Sequence, residues 1–170
     1  MSEEFEVEFE FFAYSATTEW GNVFRMTKET TNNNLGDRIP AVFIRMEGSI
    51  PTLCVCMLTK GLSNADRYSD IPIAIKTWYT LRIAQRKKDD GNFLYEIALD
   101  GIVQKSVVNQ NPETFHNVKM FATDNLHPAF DGLLRNIRVC QQGKFLCPRT
   151  SIARYSLERW CKFKLSRNIL

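Results

Sequence analysis

The sequence predicts an all-β domain built as a two-sheet antiparallel sandwich, and three observations predict it. Apolar and polar residues alternate with a period of two over most of the chain, and helical periodicity is nearly absent before residue 150. The alternating segments are short and are separated by clusters of Gly, Asn, Asp and Pro, the pattern of strands joined by turns. A length of 170 residues suits a single domain of this kind. With 44% hydrophobic and 12% aromatic residues, 12 of them Phe, the chain has the apolar surface to fill the space between two sheets.

Each element follows from its local pattern. Phe5, Val7, Phe9 and Phe11 alternate with Glu4, Glu6, Glu8 and Glu10, so a strand here buries one face and leaves the other to solvent. Residues 20–27 form a second strand. The Asn-rich run 31–38 is a loop, because Asn and Gly tolerate positive φ and Asn bonds to nearby backbone. Strands are predicted at 41–46, 52–58 and 78–85, with 61–70 as a polar loop. Residues 93–99 and 102–107 are joined by Asp100-Gly101, the dipeptide that favours a type I′ hairpin. Strands at 118–123 and 133–139, separated by a loop over 124–132, complete a body spanning 1–140. No internal repeat is visible.

Residues 141–170 read as a separate basic tail. They hold seven Lys or Arg against one acid, a net of +6; with +3 for the whole chain, the body carries −3. A mildly acidic body gives no electrostatic reason to expect a nucleic-acid partner, since phosphate binding needs a clustered basic face. Over 151–165 the tail places Ile152, Tyr155, Trp160 and Phe163 loosely on one helical side, with Arg154, Lys162 and Lys164 elsewhere. Such a helix suits a membrane surface or a partner; docking of its aromatics back on the domain is the preferred reading. The start of the chain lacks the basic-then-apolar run of a secretory signal, and no stretch approaches the ~18–20 apolar residues that span a bilayer. As written, the chain reads as soluble and unexported. Its five cysteines are an odd number, so at least one thiol is free or pairs between chains. Cys54 and Cys56 share a strand face and are poorly placed to bridge each other, whereas Cys140 and Cys147 make the better pair.

The second half carries a resemblance. It reads Trp78-Tyr-Thr-Leu-Arg-Ile-Ala-Gln, then Phe93-Leu-Tyr-Glu-Ile-Ala-Leu-Asp-Gly, then Phe115-His-Asn-Val-Lys-Met-Phe, and closes on Asp131-Gly-Leu-Leu-Arg-Asn-Ile-Arg-Val. This order resembles the C-terminal half of laminin G-like and concanavalin A-like jelly-roll domains, with a Trp-led strand, a hairpin carrying Asp-Gly, and a closing Gly-x-Leu-Arg-Asn strand. The stretch Gly36-Asp-Arg-Ile-Pro-Ala-Val-Phe after an Asn-rich loop is similar to versions found in invertebrate extracellular matrix-type proteins. The resemblance covers residues 5–140 and none of its motifs is catalytic, so it speaks for fold more than activity. It implies an extracellular adhesion or carbohydrate-binding role. In this register Trp78 is expected in the core, Asp100-Gly101 at a turn, and Asn136 on the sheet surface or satisfying a loop.

Two constellations carry chemistry. Glu6, Glu8 and Glu10 share one strand face and are similar to the carboxylate strand of retaining β-glucanases on the same fold, where nucleophile and acid lie roughly 5–5.5 Å apart. The central acid is Glu rather than Asp, the acidic run continues from Glu3 and Glu4, no Trp-rich sugar cleft is obvious, and a solvated acidic face is the preferred explanation. Asn33, Asn34 and Asp37, with Asp124 and Asn125, offer oxygen ligands at one sandwich edge; these are the expected ligand-binding residues, with Asp37 and Asp124 as the carboxylates if calcium binds. Turn chemistry accounts for the same residues without a metal, and no cofactor is otherwise expected. His116 and His127 have no matching nucleophile signature such as G-x-S-x-G. The functional expectation is therefore a non-catalytic module recognising a glycan or an extracellular protein, through edge loops or the concave sheet. A glycoside hydrolase using Glu6 and Glu10 is the alternative. An intracellular protein-interaction module is the third reading, favoured by the absent leader, and the lack of any N-x-Ser/Thr sequon is a mild point against a heavily glycosylated secreted protein.

Overall fold

The computed structural model describes residues 1–28, 34–62, 67–122, 126–141, 144–145 and 153–155. Every regular element among them is a strand. In chain order these are β1 (Phe5–Ala13), β2 (Gly21–Thr27), β3 (Ala41–Glu47), β4 (Ile50–Cys56), β5 (Tyr68–Pro72), β6 (Trp78–Lys87), β7 (Phe93–Leu99), β8 (Ile102–Asn109), β9 (Lys119–Phe121), β10 (Gly132–Gln141), β11 (Lys144–Phe145) and β12 (Ala153–Tyr155). They form two antiparallel sheets. A seven-stranded sheet runs β11-β10-β1-β6-β7-β8, with β12 also paired to β10, and a five-stranded sheet runs β5-β4-β3-β2-β9. The two-sheet antiparallel sandwich expected from the alternation, in the jelly-roll form that the resemblance implies, is the observed architecture.

β1 sits inside the larger sheet, paired to β10 on one side and β6 on the other. Its alternation works as the sequence dictates: Phe5, Val7, Phe9, Phe11 and Ala13 are buried and the residues between them are half-buried on the outer face. Phe9 crosses to the facing sheet and meets Phe24 of β2 at 5.1 Å between ring centroids, and it packs edge-on to Phe11 at 6.4 Å. Val42, Ile44, Leu53 and Val55 from the smaller sheet, and Leu81, Ile83, Tyr95, Ile97 and Leu134 from the larger, close the same core.

The β1–β10 ladder contains a bulge that decides the closing strand's orientation. Glu8 lies opposite Arg138 but Glu10 lies opposite Arg135, so β10 carries one extra residue. Asn136 takes it up with φ of +54°, a conformation Asn tolerates better than most residues, and its amide donates to the Glu10 carboxylate. Without that residue Arg135 would enter the core; with it Leu134 is fully buried and Arg135 is outside.

Four expectations need correction. Trp78 does not pack in the core: its cross-strand partner is Phe12, which has the opposite parity to the buried Phe11, so the indole lies on the outer face. There Phe12 is 5.5 Å away and the Arg135 guanidinium stacks 3.7 Å from the ring centroid. The loop expected over 61–70 gives way at its end to β5, a short edge strand whose Ser, Asp and Pro hide it from pattern reading and whose Pro72 is tolerated at an edge. In the tail, where a helix was expected over 151–165, Ala153–Tyr155 is a strand paired with Gly132, Leu133 and Leu134; the rest of that stretch lies outside the described residues. Cys140 is a free thiol, and its expected partner Cys147 lies outside the described residues.

The Asp100-Gly101 turn is as predicted, with Leu99 opposite Ile102 and φ of +50° and +78° at the two turn residues. Nothing lies within 4 Å of a Cβ built on Gly101, so the constraint there is purely conformational. Gly101→Val should therefore cost about 1–3 kcal/mol in a denaturant titration, and a variant as stable as wild type would refute the turn geometry. Phe9→Ala, which empties the inter-sheet contact with Phe24, should cost roughly 3–5 kcal/mol by the same measurement. A loss below about 1 kcal/mol would mean that Phe9 is not central to the core.

Candidate functional site

The two sheets present very different outer faces. On the larger sheet, the glutamates of β1 do share one face, and each is matched by an arginine from a neighbouring strand. Arg82 and Arg86 of β6 meet Glu6, the former at 3.3 Å; Arg138 meets Glu8 at 3.2 Å and Arg135 meets Glu10 at 2.6 Å. Arg82 also reaches Glu96 of β7 at 3.9 Å. The acidic face is thus half-buried beneath arginines rather than solvated. The Asn136 amide and the Arg135 guanidinium hold the Glu10 carboxyl below its ordinary range despite partial burial. A general acid in glycoside hydrolysis needs the opposite shift.

The loop residues Asn34 and Asp37 are brought together, but to close their own turn. The Asn34 amide donates to the Asp37 carboxylate at 2.8 Å, and the Asp37 amide donates to the Asn34 carbonyl at 3.1 Å. Asp37 is fully buried, and its carbonyl accepts from Arg25 Nε at 3.0 Å. The backbone bond closes a four-residue β-turn, and the carboxylate accepts from the first amide of that turn. Asn33, Asp124 and Asn125 lie outside the described residues. Among the described residues no group of three or more His, Cys, Asp or Glu side chains is placed to hold a metal ion.

The outer face of the five-stranded sheet holds a cluster that the sequence reading missed. Cross-strand pairing sets Asn22, Phe43, Cys54 and Asp70 in one row and Arg25, Ala41, Cys56 and Tyr68 in the next. Ala41, Phe43 and Cys54 form a second apolar cluster, separate from the main core. Over Phe43 lie three groups: Trp20 edge-on at 5.6 Å, His127 edge-on at 5.0 Å and the Arg38 guanidinium at 5.4 Å. Arg45 stacks on Trp20 at 4.6 Å and pairs with Glu47 at 3.4 Å and Asp70 at 3.9 Å. Trp20 remains 38% exposed and Tyr68 47% exposed. The Asn22 amide, fully buried in the same row as Phe43, makes no hydrogen bond through either side-chain atom. Beside Trp20 opens a shallow cleft lined by Ala16, Thr17, Glu19, Ile44 and Phe130.

Burial, and next the Asp70 carboxylate, pushes the Cys54 thiol up to about 12, and burial likewise raises Cys56. Both stay protonated near neutrality, so they fill space here rather than act as nucleophiles or metal ligands. A signal for this face was present in the sequence: 41–46 reads Ala-Val-Phe-Ile-Arg-Met, apolar on both parities, as a strand covered on both faces does.

The architecture and this face define an all-β jelly-roll sandwich with an aromatic and charged outer surface on its smaller sheet. No protein-family model matches the sequence, and no curated protein matches it. Among solved structures the chain is similar to a native heptameric SAP-like pentraxin from Limulus polyphemus, with a TM-score of 0.51 and 14% identity over 81% of this chain and 64% of the pentraxin. It thus spans just under two thirds of that chain's length, and the likeness shows the fold. A second structure, the carbohydrate recognition domain of Emp47p, aligns with a TM-score of 0.47 at 14% identity, covering 69% of this chain and 61% of that one.

The direction of the Glu10 shift fixes a pH dependence. A carboxyl whose native pKa lies below its ordinary 4.5 contributes stability that is complete above 4.5 and is lost as pH falls through the native value. The melting temperature should therefore fall as pH drops below that ordinary value, and Glu10→Gln should be less stable than wild type at neutral pH while converging with it in acid. Parallel melting curves across that range would show that the carboxylate gains nothing from its partners.

Proposed function

We propose that this chain is a non-catalytic binding module that recognises a glycan on the outer face of its five-stranded sheet. The observation that carries the reading is the Trp20–Arg45–Asp70 cluster. A partly exposed indole presents an apolar ring to the C–H face of a sugar, while a guanidinium and a carboxylate within its reach suit hydroxyls. Such a site combines an apolar platform with few convergent polar groups. The edge-on contact with Phe43 and the Arg45 guanidinium over one ring face restrain the indole before any ligand arrives, which lowers the ordering cost of binding. Tyr68 extends the aromatic surface along the next row. An extracellular setting and a laminin G-like kinship belong to the same reading, which rests on the Asp100-Gly101 hairpin and the Gly132–Arg138 motif. Calcium, with Asp124 as the outstanding carboxylate, is an optional part of it.

The test is a glycan array probed with the full chain in calcium and again in chelator. Trp20→Ala should abolish the strongest signals, and Arg45→Ala should weaken them about tenfold or more. Glu10→Gln should leave them in place. Failure to bind any glycan, or binding indifferent to Trp20→Ala, would overturn the assignment. Turnover of a β-glucan panel that is lost in Glu6→Gln would instead establish the hydrolase alternative.

A further inference from the structure

We propose that β8 is a self-association edge, and that two copies of this chain pair antiparallel through it to extend the seven-stranded sheet. An edge strand exposes a row of unsatisfied N–H and C=O groups, and folded proteins blunt such edges by shortness, charge, proline or a covering segment. Among the described residues, the other three sheet edges follow that rule. The β10 edge is covered near its two ends by β11 and β12 of the same chain. In the smaller sheet, β5 has five residues with Asp70 and Pro72, and β9 has three. β8 is different. It has eight residues, no proline and one charge, and it carries three large exposed aliphatics: Ile102 at 67%, Val103 at 49% and Val108 at 47%. Its one charge is already engaged within the chain, because Lys105 Nζ donates to the Tyr68 carbonyl of β5 at 2.9 Å.

The strand is also self-complementary under a two-fold axis. Its register with β7 places Val103, Ser106 and Val108 on the outer face, opposite Ala98, Glu96 and Leu94, and places Lys105, Val107 and Asn109 inward. An axis through Val107 sets each Ser106 beside the second copy's Val108 and each Lys105 beside the second copy's Asn109. Inward residues then meet inward ones, and each Lys105 lies opposite a neutral residue rather than the other lysine. On the outer face the two Val108 side chains become diagonal neighbours, each covering part of the other's exposed surface. Any register in which Lys105 met its own copy would be penalised by like-charge repulsion, so the arrangement fits a second copy of this chain.

Sedimentation equilibrium of the full chain should show a monomer–dimer equilibrium. Val108→Lys should raise the dissociation constant about tenfold or more, with an unchanged far-ultraviolet spectrum and melt, because the side chain is exposed. Hydrogen exchange at high against low protein concentration should slow the amides of residues 104–109 and leave those of β5 and β9 unaltered. Trp20→Ala, on the other sheet, should dimerise like wild type, so loss of glycan binding and loss of self-association are read separately. A wild-type chain that stays monomeric at every soluble concentration would overturn the proposal. So would a dimer indifferent to Val108→Lys, or concentration-dependent protection at another edge.

Discussion

The register of β1 is the constraint on which the rest of the larger sheet depends. The strand is paired on both sides, so a slip of one residue would drive three glutamates between the sheets and expel three phenylalanines and a valine. Burying unpaired carboxylates costs far more than any local adjustment recovers. Once the phenylalanines are in, the neighbouring strands must offer cations where the glutamates emerge. Arg82 and Arg86 on one side and Arg135 and Arg138 on the other do so. Pairs of this kind, partly exposed, add little stability singly. Their consequence is specificity of pairing, because each arginine opposes the glutamate that its register brings to it.

The bulge at Asn136 shows how that demand is reconciled with the core. β10 must deliver Leu134 and Val139 inward while turning Arg135 and Arg138 outward, and a strict period of two cannot satisfy both sides of the 135–138 interval. One extra residue resets the parity. Asn serves because its backbone tolerates the left-handed region and its side chain binds the carboxylate that the reset brings near.

The smaller sheet solves a different problem. Its central strands are apolar on both faces, so the outer face needs a cover as well as the inner one. Trp20, His127 and Arg38 supply part of it over Phe43. An indole held by an edge-on ring and a guanidinium over one face is restrained on a sheet scaffold, yet still reaches solvent. Under the proposed function the residues that cover this face would also be those that meet the ligand. On the opposite sheet every glutamate of β1 already has a partner.

The sequence by itself determined the class of fold and much of its local detail. Period-two alternation in β1, the apolar runs of β3 and β4 and the Asp100-Gly101 turn are properties of neighbouring residues, and they survived into the structure because burial of one face leaves a strand no other register. What tertiary structure alone decided was pairing across distance. Whether Glu6, Glu8 and Glu10 face water or arginines depends on strands more than 70 residues away. Whether Trp78 is core or surface depends on which parity of β1 it meets. The 68–72 segment is a strand only because β4 offers it an edge. The Trp20 cluster is assembled from four separated segments, joining Trp20 to Phe43 and Arg45, to Asp70 and to His127. No window of sequence holds it, since stacking and ion pairing become visible only when the sheet has set its rows side by side.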